Sequence, residues 1–405
     1  MLRYVVCLFF AVSLVAPASG IEIATGRMLG PPYDLRAFYV RQKGSDPWRK
    51  TYAGRQYRPE AAGRLMNLRL AQALFHDEWL TEFPFDPDTH TDRFISALDA
   101  YREHGILCIS VSLQGGNMQY DWNKLVNRDR PNKLGPGKGS LVSAFRPNGS
   151  LKPHWMQRLL RLQRELDKRG MVLGLQYFYG YQDEVLENVA AIDRAVINIT
   201  DWLIANDCRN VIIEIANEYN GNSFDHDRYI FNNMDKLIAL ARSRFAENKA
   251  QFALPISAST SGQEMPVFDN VRSTEDLVVI HGNDAPPADK RVRVAELYAD
   301  QSMPGPIYMN EDNNGRETTR THLENELASA DAVFESGGSW GYMPWVQTQV
   351  FPFPHVLPAS SFDVVDSDKL EMRDPAYFHA VLEHLRKLLE TPASASRPCK
   401  LSGAR

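Results

Sequence analysis

After residue 60, short runs of apolar and β-branched residues alternate with longer amphipathic stretches. The short runs have the length of buried strands, and the longer stretches repeat their apolar positions at helical spacing. Eight strands are predicted, over Leu65–Phe75, Ile106–Gln114, Val172–Tyr179, Asn210–Ala216, Phe252–Ala258, Leu277–His281, Pro306–Asn310 and Gly338–Met343. Helices are predicted between and after them, over Thr91–His104, His154–Arg169, Glu184–Asn206, Tyr229–Glu247, Thr318–Glu335 and Pro375–Leu389.

This alternation is typical of parallel βαβ units, and eight strands are the number that closes a barrel. We therefore predict an α/β fold, a (β/α)₈ or TIM barrel, over residues 61–390; the alternative is an open doubly wound sheet. Residues 21–60 are predicted to be an N-terminal extension packed on the barrel, and 391–405 a C-terminal tail. A long insertion, residues 120–153, follows the second strand at the end where barrel active sites lie.

The first 20 residues predict an export signal. Arg3 supplies a positive charge, Val5–Val15 is an apolar run, and small residues at 16–18 offer a cleavage site. The run is shorter than the roughly 20 apolar residues that a membrane-spanning helix needs. We therefore expect a secreted or periplasmic protein with no membrane span once the signal is removed.

Charge and cysteine content narrow the range of partners. The formal net charge of the 405-residue chain is −5, which provides no polycationic surface for nucleic acid. Its four cysteines are widely spaced and contain no CxxC pair, so they indicate neither a disulfide framework nor a zinc site. We predict no metal and no cofactor, and the oligomeric state is left open.

The most informative segment for chemistry runs from Val211 to Gly221, where an apolar strand leads directly into Asn217-Glu218. On a barrel, Glu218 would lie at the carboxyl end of the fourth strand, where active sites form. Glu311 ends the seventh predicted strand, about three βα units further along the chain. Asp312 is adjacent and is the alternative inward-facing carboxylate.

The segment around Glu218 resembles the fourth-strand signature of glycoside hydrolase family 5, a cellulase and mannanase family of clan A. The resemblance implies a retaining glycoside hydrolase with Glu218 as acid/base and Glu311 as nucleophile. The implied substrate is an oligo- or polysaccharide, with β-linked O-glycosidic bonds as the expected target. Because the acid must start protonated, we expect burial and the nearby Glu311 charge to raise the pKa of Glu218.

The resemblance also implies roles for residues on other strands. Asn217 is similar to the clan's asparagine that hydrogen-bonds the sugar 2-hydroxyl, and His281 is similar to a family histidine after strand six. Trp340 is similar to a tryptophan that forms a platform under the sugar; a buried packing role is the alternative. Further residues are predicted to line the cleft, namely Gln114, Asn117, Gln176, Tyr177 and Tyr179, and Asn283 and Tyr308 are also candidates for substrate binding.

The chain departs from the family pattern at several positions. Tyr219 replaces the proline after Asn-Glu, and Asn283 replaces a tyrosine that hydrogen-bonds the nucleophile, a bond for which Tyr308 or Tyr342 is the expected donor. No arginine lies on strand two, and Arg69 on strand one is the candidate substitute.

Two alternative functions are left open, and the departures around the nucleophile bear on the first of them. One is a carbohydrate-binding barrel that has lost turnover. The other is a metal-dependent hydrolase, which would need clustered histidines such as a His-x-His pair, and the sequence contains no such pair.

Overall fold

The structure is a computed structural model that describes residues 20–45, 47–76, 85–115, 119–120, 142–180, 182–221, 224, 226–313, 320–344, 348, 350–351 and 375–391. The predicted signal peptide, most of the predicted insertion and nearly all of the predicted tail lie outside these residues. In the part of the chain that is described, no helix is both long and apolar enough to cross a membrane.

Strands and helices alternate along most of the chain. In chain order the strands are β1 (Ile21–Thr25), β2 (Phe38–Gln42), β3 (Arg49–Lys50), β4 (Asn67–Arg69), β5 (Cys108–Ser112), β6 (Gln119–Tyr120), β7 (Val172–Phe178), β8 (Val211–Ala216), β9 (Ile256–Ser257), β10 (Ser259–Thr260), β11 (Val278–His281), β12 (Ile307–Asp312), β13 (Ser339–Tyr342) and β14 (Val350–Phe351). The α-helices are α1 (Gly26–Leu29), α2 (Pro87–Glu103), α3 (Pro153–Lys168), α4 (Val189–Ala205), α5 (Tyr229–Asn232), α6 (Met234–Glu247), α7 (Asp269–Arg272), α8 (Pro287–Ala299), α9 (Arg320–Glu335) and α10 (Pro375–Leu389). Single 3₁₀ turns occupy Pro59–Ala61, Ala71–Leu74, Asp183–Val185 and His226–Arg228.

The central sheet is parallel and closes on itself. Its strand order is β10-β11-β12-β13-β4-β5-β7-β8-β9. Only Ala258 separates β9 from β10; β9 pairs with β8, and β10 pairs with β11. The two edges of the sheet therefore meet at one chain segment. Because β9 and β10 together occupy one position of the barrel, the nine short strands fill eight positions. The predicted (β/α)₈ barrel is confirmed, and the open-sheet alternative is wrong.

Local sequence signals account for where the helices begin and end. The Asp86 carboxylate accepts hydrogen bonds from the second and third amides of α2, and Pro87 occupies its first position. The Asn188 side chain caps α4 with one hydrogen bond, accepted from the amide of Ala191 (3.0 Å). After α2 the chain turns at Gly105, whose φ is +85°. A Cβ at this glycine would lie 2.5 Å from the Leu389 side chain, so a larger residue there would force that side chain of α10 to move.

Several predicted boundaries differ from the structure. The first barrel strand is only Asn67–Arg69, because the chain turns into the 3₁₀ segment Ala71–Leu74. The helix predicted over Tyr229–Glu247 is two helices separated at Asn233. Helix α8 was not predicted, because a charged run gives it weak apolar periodicity.

Strands β1 to β3 form a separate antiparallel sheet that packs against the amino ends of the barrel strands. The amide of Ile23 donates to the carbonyl of Arg209, two residues before β8 (3.2 Å). The Arg36 guanidinium donates to two carbonyls just before β12 (both 2.9 Å). Phe38 is fully buried, and its ring lies edge-on to Tyr308, with centroids 5.6 Å apart. This sheet therefore covers the barrel end opposite the carboxyl ends of the strands.

Cys108 and Cys208 are buried free thiols. The other two cysteines lie outside the described residues.

We predict that Phe38→Ala lowers the free energy of unfolding by about 3–5 kcal/mol, because it opens a cavity between the N-terminal sheet and the barrel. Val292→Ala on the exposed surface of α8 is the control, with an expected change within about 0.5 kcal/mol. Urea unfolding of both variants measures the difference. Equal urea midpoints for the two variants would contradict tight packing between the N-terminal sheet and the barrel.

Candidate active site

Three titratable side chains converge at the carboxyl ends of β8, β11 and β12. One carboxylate oxygen each from Glu218 and Glu311, and a ring nitrogen of His281, all lie within 4.8 Å of one another. His281 Nδ1 is 2.9 Å from Glu218 Oε1 and 3.5 Å from Glu311 Oε2. Barrel closure thus brings together glutamates that are distant in the sequence.

Glu218 leaves the end of β8 in an unusual backbone conformation. Its φ is +50°, in the left-handed region that non-glycine residues seldom occupy. Ser259, the first residue of β10, accepts two hydrogen bonds from this turn. The Glu218 amide donates to Ser259 Oγ (2.9 Å), and the Tyr219 amide donates to the Ser259 carbonyl (3.0 Å). Strain held by surrounding bonds is common at functional sites.

The departure at Tyr219 has a physical explanation. Proline has no N–H, so it could not make the bond from position 219 to Ser259. The buried Tyr219 ring packs with Phe231 and Phe268, at centroid distances of 6.1 and 5.9 Å. An aromatic cluster and a backbone bond therefore shape this loop in place of a proline.

A register shift within β12 decides which acidic residue faces the site. Asn310 Nδ2 donates to the buried Glu214 Oε2 (2.7 Å), so Asn310 points into the barrel. Strict alternation would turn the next residue away, but the irregularity lets Glu311 point inward as well. Asp312 instead pairs with the fully buried Lys290 (2.7 Å). The alternative that placed Asp312 at the site is therefore wrong.

Glu311 is almost completely buried, with 4% of its side chain exposed, and both its oxygens have partners. Arg69 Nε lies 2.5 Å from Oε2, and Asn283 Nδ2 donates to Oε1 (2.7 Å). Arg69 thus contacts the carboxylate for which it was the candidate partner. Asn283 itself makes the bond for which a tyrosine was expected.

A second set of bonds fixes the amide of Asn217. Its Oδ1 accepts from Arg69 Nη2 (2.8 Å) and from Gln176 Nε2 (3.1 Å). The same Gln176 nitrogen donates to Glu214 Oε2 (2.9 Å), so Glu214 orients Gln176, and Gln176 helps to orient Asn217. Among the described residues the Asn217 NH₂ group has no acceptor, which leaves it available to a ligand.

The pKa of Glu218 shifts in the direction opposite to the one expected from the sequence. Burial favours the neutral acid, but the His281 hydrogen bond and the charges of His281 and Arg69 outweigh it, so the pKa of Glu218 is lowered. Burial likewise opposes charge on His281, but the Glu311 charge and the Glu218 hydrogen bond raise its pKa. The predicted rise at Glu218 was wrong because it considered only burial and Glu311.

Trp340 is not a platform in the cleft. It is fully buried, its indole N–H donates to Asp312 Oδ2 (2.7 Å), and its ring stacks on Tyr342 at 5.9 Å. Tyr342 in turn lies 6.1 Å from the ring of Phe378 in α10. Both aromatic residues therefore lie between the sheet and the helices. The packing alternative for Trp340 holds, and Tyr342 does not reach Glu311.

Three more residues that were predicted to bind substrate make structural contacts instead. The Tyr177 hydroxyl lies 3.1 Å from Thr200 Oγ1 of α4, because strand alternation turns it outward. Tyr308 lies three residues before Glu311, near the base of the barrel. The side-chain amide of Gln114 is buried and makes three hydrogen bonds, to Ser143, Tyr179 and Gln182. Asn117 lies outside the described residues.

The ligand atoms of Glu218, His281 and Glu311 are of types that bind divalent metals. Arg69, however, already places a positive charge 2.5 Å from Glu311 Oε2, where it would repel a divalent cation. The geometry favours the ion pair at this position, and the absence of a metal from the active site stays a prediction.

No family model and no curated protein matches the sequence. Among solved structures, a GH5-4 broad specificity endoglucanase from Clostridium longisporum is 9% identical, with a TM-score of 0.50 over 80% of this chain and 97% of that chain. The exo-β-1,4-mannosidase Op5Man5 from Opitutaceae bacterium strain TAV5 is 15% identical, with a TM-score of 0.47 over 82% of this chain and 61% of that one. A β-glucosidase from Thermotoga maritima is 11% identical, with a TM-score of 0.48 over 82% of this chain and 99% of that one.

This chain spans about three fifths of the length of the mannosidase. The likeness to the endoglucanase supports the barrel fold. At 9% identity it carries the fold alone.

We predict that the pKa of His281, followed by NMR of its ring, lies above the ordinary histidine value of 6.5 and falls in Glu218→Gln. The stabilisation from this group is therefore fully present below the unfolded-state pKa and is lost as pH rises through the higher folded-state pKa. An unchanged His281 titration in the variant would contradict the pairing.

Proposed function

We propose that the chain is a retaining glycoside hydrolase that cleaves O-glycosidic bonds, preferentially β-linked, in oligo- or polysaccharides. The observation that carries the proposal is the close approach of the two carboxylates, with one oxygen of each within 4.8 Å. Retaining enzymes hold their two carboxyl groups roughly 5–5.5 Å apart, whereas inverting enzymes need about 6.5–9.5 Å to admit a water molecule. The spacing therefore favours retention.

The surroundings of the two glutamates support different roles. Glu311 is nearly inaccessible to solvent and is held by Arg69 and Asn283, which suits a nucleophile that is fixed in one orientation. The Glu218 side chain is 31% exposed, so it can reach both a leaving group and an incoming water molecule. In this scheme Glu311 attacks the anomeric carbon, and Glu218 protonates the departing oxygen and later deprotonates water.

His281 gives Glu218 access to the proton that it needs. The Nδ1···Oε1 distance of 2.9 Å allows the two groups to share one proton along a hydrogen bond. A bound sugar would exclude water and strengthen the burial effect that favours protonated Glu218. Substrate binding is therefore proposed to move this proton towards the carboxylate.

Asn217 is proposed to bind the sugar 2-hydroxyl through its NH₂ group. Its oxygen is already committed to Arg69 and Gln176, so the amide cannot rotate freely. Hydrogen bonds to the 2-hydroxyl strengthen in the transition state of glycoside hydrolysis.

The predicted signal peptide bears on where the enzyme acts. We propose that it acts outside the cytoplasm, in the periplasm or after secretion.

Substitution of each glutamate by glutamine separates the two roles. On aryl glycosides with poor leaving groups, we expect Glu218→Gln to lower kcat by about 10²- to 10⁴-fold, because general acid catalysis is lost. Good leaving groups need little protonation, so this variant should retain more activity on them. Glu311→Gln should be slow on both kinds of substrate, because the attacking group is missing.

The substrates come from a screen of β-linked polysaccharides and aryl glycosides, and thermal unfolding shows whether each variant is folded. If Glu218→Gln changes only a sugar-binding constant, the chain is the non-catalytic binding barrel.

Asn217→Ala tests the bond to the 2-hydroxyl. We expect kcat/KM to fall by about 10²-fold or more, since such bonds contribute several kcal/mol to the transition state. With the unsubstituted enzyme, removing the 2-hydroxyl from the substrate should lower kcat/KM by a similar factor. With Asn217→Ala, removing the same hydroxyl should lower kcat/KM little further, because the bond is already missing. Fully additive losses would show that Asn217 acts elsewhere.

A further inference from the structure

A second cluster of metal-ligand types lies away from the carboxylate pair, where the end of α2 meets α10. It contains His104, just after α2, with His379 and Glu383 of α10, and one ligand atom of each lies within 4.8 Å of the others. We propose that these three side chains bind a divalent transition-metal ion, Zn²⁺ by their chemistry. The ion would join the helix that follows the first barrel strand to the last described helix.

Two features of the backbone place the ligands. His379 and Glu383 are four residues apart in α10, so their side chains lie on the same face one turn apart. His104 is the C-cap residue of α2. The carbonyl end of a helix carries partial negative charge, which favours a cation beside it.

The hydrogen bonding of His104 prepares it to act as a ligand. Its Nδ1 lies 2.6 Å from the Ala100 carbonyl, which can only accept, so the proton must be on Nδ1. Metal-bound histidines almost always donate their second N–H to such an oxygen. Nε2 is the remaining ring nitrogen, and it faces Glu383 Oε1 at 3.2 Å. The ring of His379 lies edge-on to that of His104, with centroids 5.4 Å apart.

Arg386 is the group that competes with a cation at this position. Its Nη2 lies 2.8 Å from Glu383 Oε2. The same guanidinium also contacts Glu390 (3.3 Å), and 37% of the side chain is exposed. Arg386 can therefore keep one carboxylate partner while Glu383 turns towards the metal.

Two imidazoles and one carboxylate form a ligand set that suits zinc. All three side chains are only partly buried, so a water molecule can complete a tetrahedron. His104 leads into the amino end of β5, at the barrel end opposite Glu218 and Glu311, so the effect of the ion would be on stability. Gly105 and Leu389 approach each other closely in the same region, so the ion would reinforce an existing contact.

Zinc titration of the metal-stripped, tag-free chain, by calorimetry and by thermal unfolding, tests the proposal. We expect one Zn²⁺ per chain and a higher unfolding midpoint, because an ion that binds only the folded state stabilises it. His379→Gln should weaken zinc binding at least tenfold and remove the rise in midpoint, while sugar hydrolysis is unchanged. Glu383→Gln provides a second variant if the first does not fold.

His384→Gln is the matched control, since His384 neighbours Glu383 but pairs with Asp331 (2.7 Å). Zinc binding should survive this change, and it should also survive Glu218→Gln in the barrel. The proposal is overturned if the chain binds no zinc at millimolar concentration, or if His379→Gln and Glu383→Gln bind it like the unsubstituted chain. Loss of binding in Glu218→Gln would also overturn it, because the ion would then belong to the carboxylate pair.

Discussion

The buried ion pair between Arg69 and Glu311 is the interaction on which the rest of the site depends. Both side chains are almost completely removed from water, and neither charge could remain there alone. Breaking such a pair by removing one partner typically costs about 3–5 kcal/mol. Arg69 also holds Asn217, so a single guanidinium sets the position of one proposed reacting group and one proposed sugar-binding group.

The barrel maintains this pair through polar layers beneath it. Glu214, Gln176 and Asn310 are joined by hydrogen bonds inside the barrel, and Gln176 continues the network to Asn217. Apolar side chains in their place would leave the Asn217 amide held by Arg69 alone. The polar interior therefore contributes orientation to the site, and the packing around it contributes stability.

The barrel could be predicted from the sequence because the evidence for it extends over the whole chain after residue 60, where eight apolar runs alternate with amphipathic stretches. Glu218 and Glu311 each follow a predicted parallel strand, and those strand ends share one rim, so the sequence also predicted that these two carboxylates would meet. His281 and Arg69 were identified from the family resemblance, His281 as the histidine after strand six and Arg69 as the substitute for the arginine missing from strand two.

The side-chain directions could not be read from the sequence. Trp340 and Tyr177 lie at the correct strand ends but on the helix-facing side of the sheet. A register shift, invisible in the pattern, turns Glu311 inward and Asp312 outward. The pKa direction at Glu218 depends on the 2.9 Å contact with His281, which no spacing argument contains.

The central claim is that Glu311 forms a covalent bond to the sugar. A 2-deoxy-2-fluoro aryl glycoside of a sugar that the enzyme accepts would slow hydrolysis of the intermediate, so that the labelled peptide can be identified by mass spectrometry. We predict one glycosyl group per chain, attached to Glu311 and absent in Glu311→Gln. A label on another residue, or rapid turnover to an inverted product with no label, would contradict it.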